Sequence, residues 1–254
     1  MDGAVAPTLR GKVAAEEWEA RVNCAALYRL VALYGWDDMI FTHISLRVPG
    51  PEHHFLINPY GFFFDEITAS SLVKVNLEGD IVEPTPHFIN PAGFTIHSAI
   101  HAAREDAICV MHLHTDQGVA VSAQKDGLLP ISQTAMIVRG DLAYHDYEGV
   151  ALDLDERERL VRDIGDKSLL MLRNHGTLTV GASPAAAFLR MFYLERACKM
   201  QTMAQAGGDL LECDEELRTK VAGQGASAFG TMGDRLAWPG LLRKLDRTLP
   251  GYDA

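Results

Sequence analysis

Ala107-Ile-Cys-Val-Met-His-Leu-His114 is the stretch on which the fold turns. It follows the polar run Arg104-Glu-Asp106, is mostly apolar, and is too short for a helix of ordinary length, so it reads as a strand lying deep in a sheet. Alternation along a strand puts His112 and His114 on one face, about 7 Å apart along the backbone, a span that two metal-bound imidazoles can close.

The flanking segments build a layered α and β protein around that strand. Upstream, Phe94 to Arg104 reads as a helix entered after Pro91-Ala92-Gly93. Further back, Ile44–Val48, Phe55–Ile57 and Leu72–Val75 are short strands separated by Pro49-Gly50, Asn58-Pro59-Tyr60-Gly61 and Glu78-Gly79-Asp80. Glu16 to Tyr34 carries Val22, Ala25, Ala26, Leu30 and Leu33 at helical spacing and stops at Gly35, an amphipathic helix with a glycine at C′. Downstream, helices are expected over Asp116–Ala123 and Asp155–Ile164, and strands over Ser168–Arg173 and Thr177–Val180 with Asn174-His175-Gly176 between them. A long helix opens at Pro184 and runs to about Ala206. The segment Ala143–Gly149 reads as a polar loop. Residues 1–15 form an N-terminal arm, 16–206 the domain, and 207–254 a looser extension packing on the domain or on a neighbouring subunit.

The chain has 254 residues, of which 48% are hydrophobic, enough to bury about 70% of its extended surface without disulfides. A net charge of −11 opposes non-specific association with nucleic acid or an anionic membrane. The four cysteines stand apart with no C-x-x-C pair, as in a reducing compartment. Residues 1–10 lack a basic flank leading into an apolar run, and no apolar stretch is long enough to span a bilayer, so the expected location is cytoplasmic.

The chemistry is sought among the ten histidines. His175 is the third candidate ligand beside His112 and His114, because it sits at a sharp turn where an apolar strand ends and Gly176 lets the backbone pass closely. His97 and His101, at i and i+4, are a rival pair without the glutamate of the metalloprotease motif. His43, His53, His54 and His87 are not distinguished by their surroundings in sequence. Phosphate-loop, dinucleotide and nucleophile-elbow signatures are missing.

Taken in order, Asn90-Pro-Ala-Gly-Phe-Thr-Ile-His-Ser-Ala-Ile-His101, Met111-His-Leu-His-Thr115, Gly127-Leu-Leu-Pro-Ile-Ser132, Tyr144-His-Asp-Tyr-Glu-Gly149 and Leu172-Arg-Asn-His-Gly176 resemble the class II aldolase and adducin family, in its adducin-head-like bacterial branch. The resemblance implies a three-layer α/β/α domain around a mostly antiparallel or mixed sheet and a homotetramer with active sites near subunit interfaces. It also implies a divalent metal, Zn²⁺ foremost with Fe²⁺ or Mn²⁺ as alternatives, held by His112, His114 and His175. Sugar-phosphate aldolases of the family carry Ser-Ser-Glu where this chain has Pro91-Ala92-Gly93, so the usual acid/base carboxylate and phosphate-holding hydroxyls have no counterpart. The expected activity is a metal-dependent carbon–carbon lyase, aldolase-like or decarboxylase, acting on a small non-phosphorylated carbonyl or carboxylate compound. Proton transfer falls to His145, Tyr147 or Glu148. The alternatives are a non-heme Fe(II) oxygenase of aryl keto or hydroxy acids and a non-catalytic assembly module.

Overall fold

The computed structural model describes residues 8–149, 155–226 and 233–254. Seven strands form one sheet in the order β3-β2-β1-β4-β7-β6-β5. They are β1 (His43–Arg47), β2 (Phe55–Ile57), β3 (Val73–Val75), β4 (Cys109–Leu113), β5 (Leu142–His145), β6 (Leu169–Leu172) and β7 (Gly176–Gly181). All neighbours pair antiparallel except β5 and β6, which are parallel. That exception follows from the connection: helix α5 (Glu156–Ile164) lies between them, and a parallel pair needs such a crossover.

β4 is central, and every residue from Cys109 to Leu113 is buried. On one face of the sheet, α1 (Ala15–Tyr34) and α6 (Pro184–Gln205) cover Cys109, Met111 and Leu113, with α3 (Asp116–Ser122) and α4 (Gln133–Arg139) beside α6. On the other face, α2 (Pro91–Ala103) and α5 meet Val110, Leu170, Leu178 and Val180 through Ile96, Ile100, Leu160 and Ile164. The result is the expected α/β/α arrangement, with a mixed sheet. The helix termini obey the local rules: Gly35 closes α1 at φ 66°, and Thr115, Ser132 and Ser183 accept first-turn N–H groups of α3, α4 and α6.

Three readings are revised. Part of the expected loop Ala143–Gly149 is the edge strand β5, whose half-buried pattern gives no clean alternation and whose partner β6 lies more than twenty residues on, so local sequence does not announce it. The described residues of the tail include two helices. Helices α7 (Glu215–Ala226) and α8 (Trp238–Thr248) pack against α4 and α1, and Leu245 is fully buried. The tail is also tied by Ala69 and Ser70 N–H groups donating to the carbonyls of Tyr252 and Ala254 at 2.8 and 2.9 Å. Finally, α1 does not bury only its apolar stripe: Arg21 is fully buried, whereas Val22 and Leu33 are half-buried. The Arg21 guanidinium bonds Glu17 at 2.9 Å, the Leu72 carbonyl at 3.0 Å and the Glu83 carboxylate. It thereby pins α1 to the segment around β3.

Candidate metal centre

The sheet brings three histidines from two ladders to one point. His112 lies in β4 and His114 just beyond its end. His175 belongs to the three-residue hairpin loop joining β6 to β7, where Leu172 pairs with Gly176 and Asn174 takes the left-handed conformation at φ 55°. Gly176 is required by close approach, since a Cβ there would stand 2.3 Å from the Leu113 carbonyl oxygen. The three imidazole centroids are 4.8 Å apart pairwise. One ring nitrogen from each lies within 4.8 Å of the others, the single such cluster among the described residues.

The tautomers follow from the partners. His112 Nδ1 donates to the Thr177 carbonyl at 3.0 Å, and His114 Nδ1 donates to Asp38 Oδ2 at 3.0 Å. Both rings therefore present bare Nε2 lone pairs, and these face each other at 3.0 Å. Two facing lone pairs at that distance repel unless a cation lies between them. The donor set thus fits a divalent ion held by imidazoles oriented through a carbonyl and a carboxylate. Thr177 also donates its hydroxyl to Glu195 Oε1 at 2.6 Å, which fixes β7 from the α6 side, and burial raises the Glu195 pKa.

Burial disfavours the charged form of His112 and His175. Desolvation, with the neighbouring rings adding to it, lowers His112 well below the usual imidazole range and His175 to about 4. The rival pair serves another purpose: Ser45 Oγ joins His97 Nδ1 at 2.6 Å to His101 Nε2 at 2.7 Å, and His101 Nδ1 donates to the Ala107 carbonyl at 2.8 Å. Desolvation also lowers His43 and His101 to about 3. Both rings are almost fully buried. In the unfolded chain such rings take up protons below about 6.5, whereas in the folded chain they do so only near 3. Their contribution to stability is therefore complete above about pH 6.5 and is lost as the pH falls. Unfolding free energy of the metal-free protein is expected to drop by roughly 3–4 kcal/mol between pH 7 and pH 5 from this pair alone, as read by urea titration at each pH. A pH-independent value over that range would contradict it.

The trio opens into a cavity of about 410 Å³ lined by Phe41, Thr42, His43, Ile96 and Tyr147 among others. No Lys or Arg occurs among its described lining residues. Of the three sequence candidates for proton transfer, Tyr147 lines this cavity, its ring 6.3 Å from that of His175. His145 is buried against α5, with Nδ1 2.7 Å from Asp163 Oδ2 and Nε2 3.4 Å from Glu156 Oε1. Glu148 is held by the Arg159 guanidinium, whose Nε lies 2.7 and 2.9 Å from its two oxygens. Neither lines the cavity. Asp38 escaped the sequence reading and His43 was left undistinguished from three other histidines, because nothing local marks a residue whose partner lies about seventy positions away.

The family model described as the class II aldolase and adducin N-terminal domain matches residues 22–202. The chain belongs to this class II aldolase and adducin family. A solved aldolase II superfamily protein from Pseudomonas syringae is 53% identical, with a TM-score of 0.92 over 98% of this chain and 100% of that one. L-fuculose 1-phosphate aldolase from Glaciozyma antarctica is 27% identical, with a TM-score of 0.81 over 98% of this chain and 96% of its own. Mouse alpha-adducin is 49% identical over 217 residues, 81% of this chain but 29% of the adducin. Class II aldolases are generally metal-dependent lyases, and the histidine cluster agrees with that general character. No helix among the described residues is long and apolar enough to cross a membrane.

Proposed function

We propose that this class II aldolase family protein is a divalent-metal-dependent carbon–carbon lyase, aldolase-like or decarboxylase, acting on a small non-phosphorylated hydroxy or keto carboxylate. The observation that supports it is the donor set: imidazole nitrogens, oriented by the Thr177 carbonyl and Asp38, at the head of a cavity without a described cationic side chain. A phosphate dianion would enter such a cavity uncompensated. His112, His114 and His175 would hold the metal, Zn²⁺ in the first instance, which supplies Lewis acidity toward a developing enediolate or carbanion. Gly93 offers no carboxylate, so proton transfer is assigned to Tyr147, the sequence candidate that lines the cavity. A homotetramer in the cytoplasm completes the reading. The name of the Glaciozyma antarctica relative favours this carbon–carbon chemistry over the oxygenase alternative.

The test is a screen of the zinc-loaded protein against short hydroxy and keto acids, with carbonyl products and carbon dioxide detected separately. Tyr147→Phe is expected to lower kcat by about 10²–10⁴-fold with metal content unchanged. An unchanged kcat would remove Tyr147 from the mechanism. The 49% identity to alpha-adducin supports a second reading, a non-catalytic module. It predicts stoichiometric metal without turnover of any such acid.

A further inference from the structure

Three observations at one side of the cavity have no role in holding a metal. Thr42 and His43 line the cavity and are 1% and 6% exposed, yet Thr42 Oγ1 and both ring nitrogens of His43 have no hydrogen-bond partner among the described residues. Buried polar groups left in this state are costly, and adjacent examples point to a missing partner. Thr42 is held at φ 65°, a conformation that a β-branched residue adopts only where its surroundings impose it. Finally, a Cβ at position 93 would stand 2.3 Å from both Cε1 and Nδ1 of His43, so the imidazole occupies the space that any side chain at 93 would need.

The surroundings define what this pair can bind. β1 pairs with β4 so that His43 lies opposite His112, which puts both on one face of the sheet. Behind His43, its ring centroid 6.0 Å away, stands His97. The Ala107–His101–Ser45–His97 chain places the His97 proton on Nδ1, which leaves Nε2 a buried acceptor without a partner among the described residues. Next to the His43 ring and the Thr42 hydroxyl there is no described Lys or Arg in the cavity lining. One hydroxyl and one imidazole, each able to donate and accept, suit an uncharged oxygen and not an anion.

We propose that Thr42 and His43 form a polar subsite beside the histidine trio that hydrogen-bonds a hydroxyl or carbonyl oxygen of the substrate, and that Gly93 is the residue that makes room for it. This rests on the metal-centre reading above. It adds that the substrate carries a second oxygen beyond its metal-chelating end.

The experiment uses the full chain loaded with Zn²⁺ and titrated calorimetrically with lactate and with glycerate, each as both enantiomers, which differ by one hydroxyl at C3. The loaded protein is expected to bind one glycerate enantiomer about five- to tenfold more tightly than the matching lactate. His43→Phe erases the preference with zinc stoichiometry and lactate affinity unchanged, and His43→Asn, which keeps a donor and an acceptor, retains most of it. Gly93→Ala erases it too by displacing the ring, but costs nothing further in a His43→Ala background. Equal binding of the two acids, or a preference that survives His43→Phe, overturns the subsite. Failure of the loaded protein to bind either acid, or of the chain to take up zinc, overturns the metal-centre reading and the subsite with it.

Discussion

Replacing His112 with alanine is expected to remove stoichiometric metal binding, lowering affinity for Zn²⁺ by more than about a hundredfold. The bound for the loss comes from the residues behind the ligands, since removing an outer partner such as Asp38 typically costs 10–100-fold and removing a ligand costs more. His112 is 3% exposed and central in its strand, so the substitution also strips the Thr177 carbonyl of its donor, a cost of about 1–3 kcal/mol in stability. Competition with a chelating dye gives the affinity, and circular dichroism separates ligand loss from unfolding. Asp38→Asn is the graded control, expected to retain metal at intermediate strength. If His112→Ala bound zinc like the native chain, the trio would not be the metal centre.

Replacing Arg21 with methionine is expected to destabilise the fold by about 3–5 kcal/mol, the cost of breaking a buried ion pair from one side. Arg21 has a fully buried side chain between Glu17 and Glu83, whose side chains are only 10% and 15% exposed. Lys74, 2.8 Å from Glu17, would remain but lies 3.9 Å from Glu83, so the second carboxylate loses its close partner. The Leu72 carbonyl loses a donor as well. Urea unfolding at pH 7 measures the change. A loss below about 1 kcal/mol would mean that water or rearrangement satisfies the carboxylates.

The two substitutions differ in how far sequence alone reaches. His112 was legible because the alternation of a strand and the position of His175 at a strand end are local facts, and Gly176 marks its turn through the close approach to Leu113. Arg21 was not, because in α1 it occupies a helix face that local periodicity assigns to solvent, and its partners other than Glu17 come from residues 69–83. The same holds for β5, made a strand by pairing with β6, and for Asp38, which orients His114 from 76 positions away in sequence. His145 and Glu148 shared one short segment with Tyr147 in sequence, yet the edge strand and α5 turn the first two toward Asp163 and Arg159, leaving Tyr147 in the cavity.

By itself the sequence determined the α/β class, the central strand, the family resemblance and the three imidazoles that meet. Each is written in spacing, in turn residues or in short colinear motifs. Only the tertiary structure decided which nitrogens are bare, that the cavity lacks a described cation, and that the His43 ring fills the space beside Gly93. Those properties depend on groups brought together from distant strands and helices, and on burial, which sets the cost of an unpaired polar atom and is not a property of any residue alone.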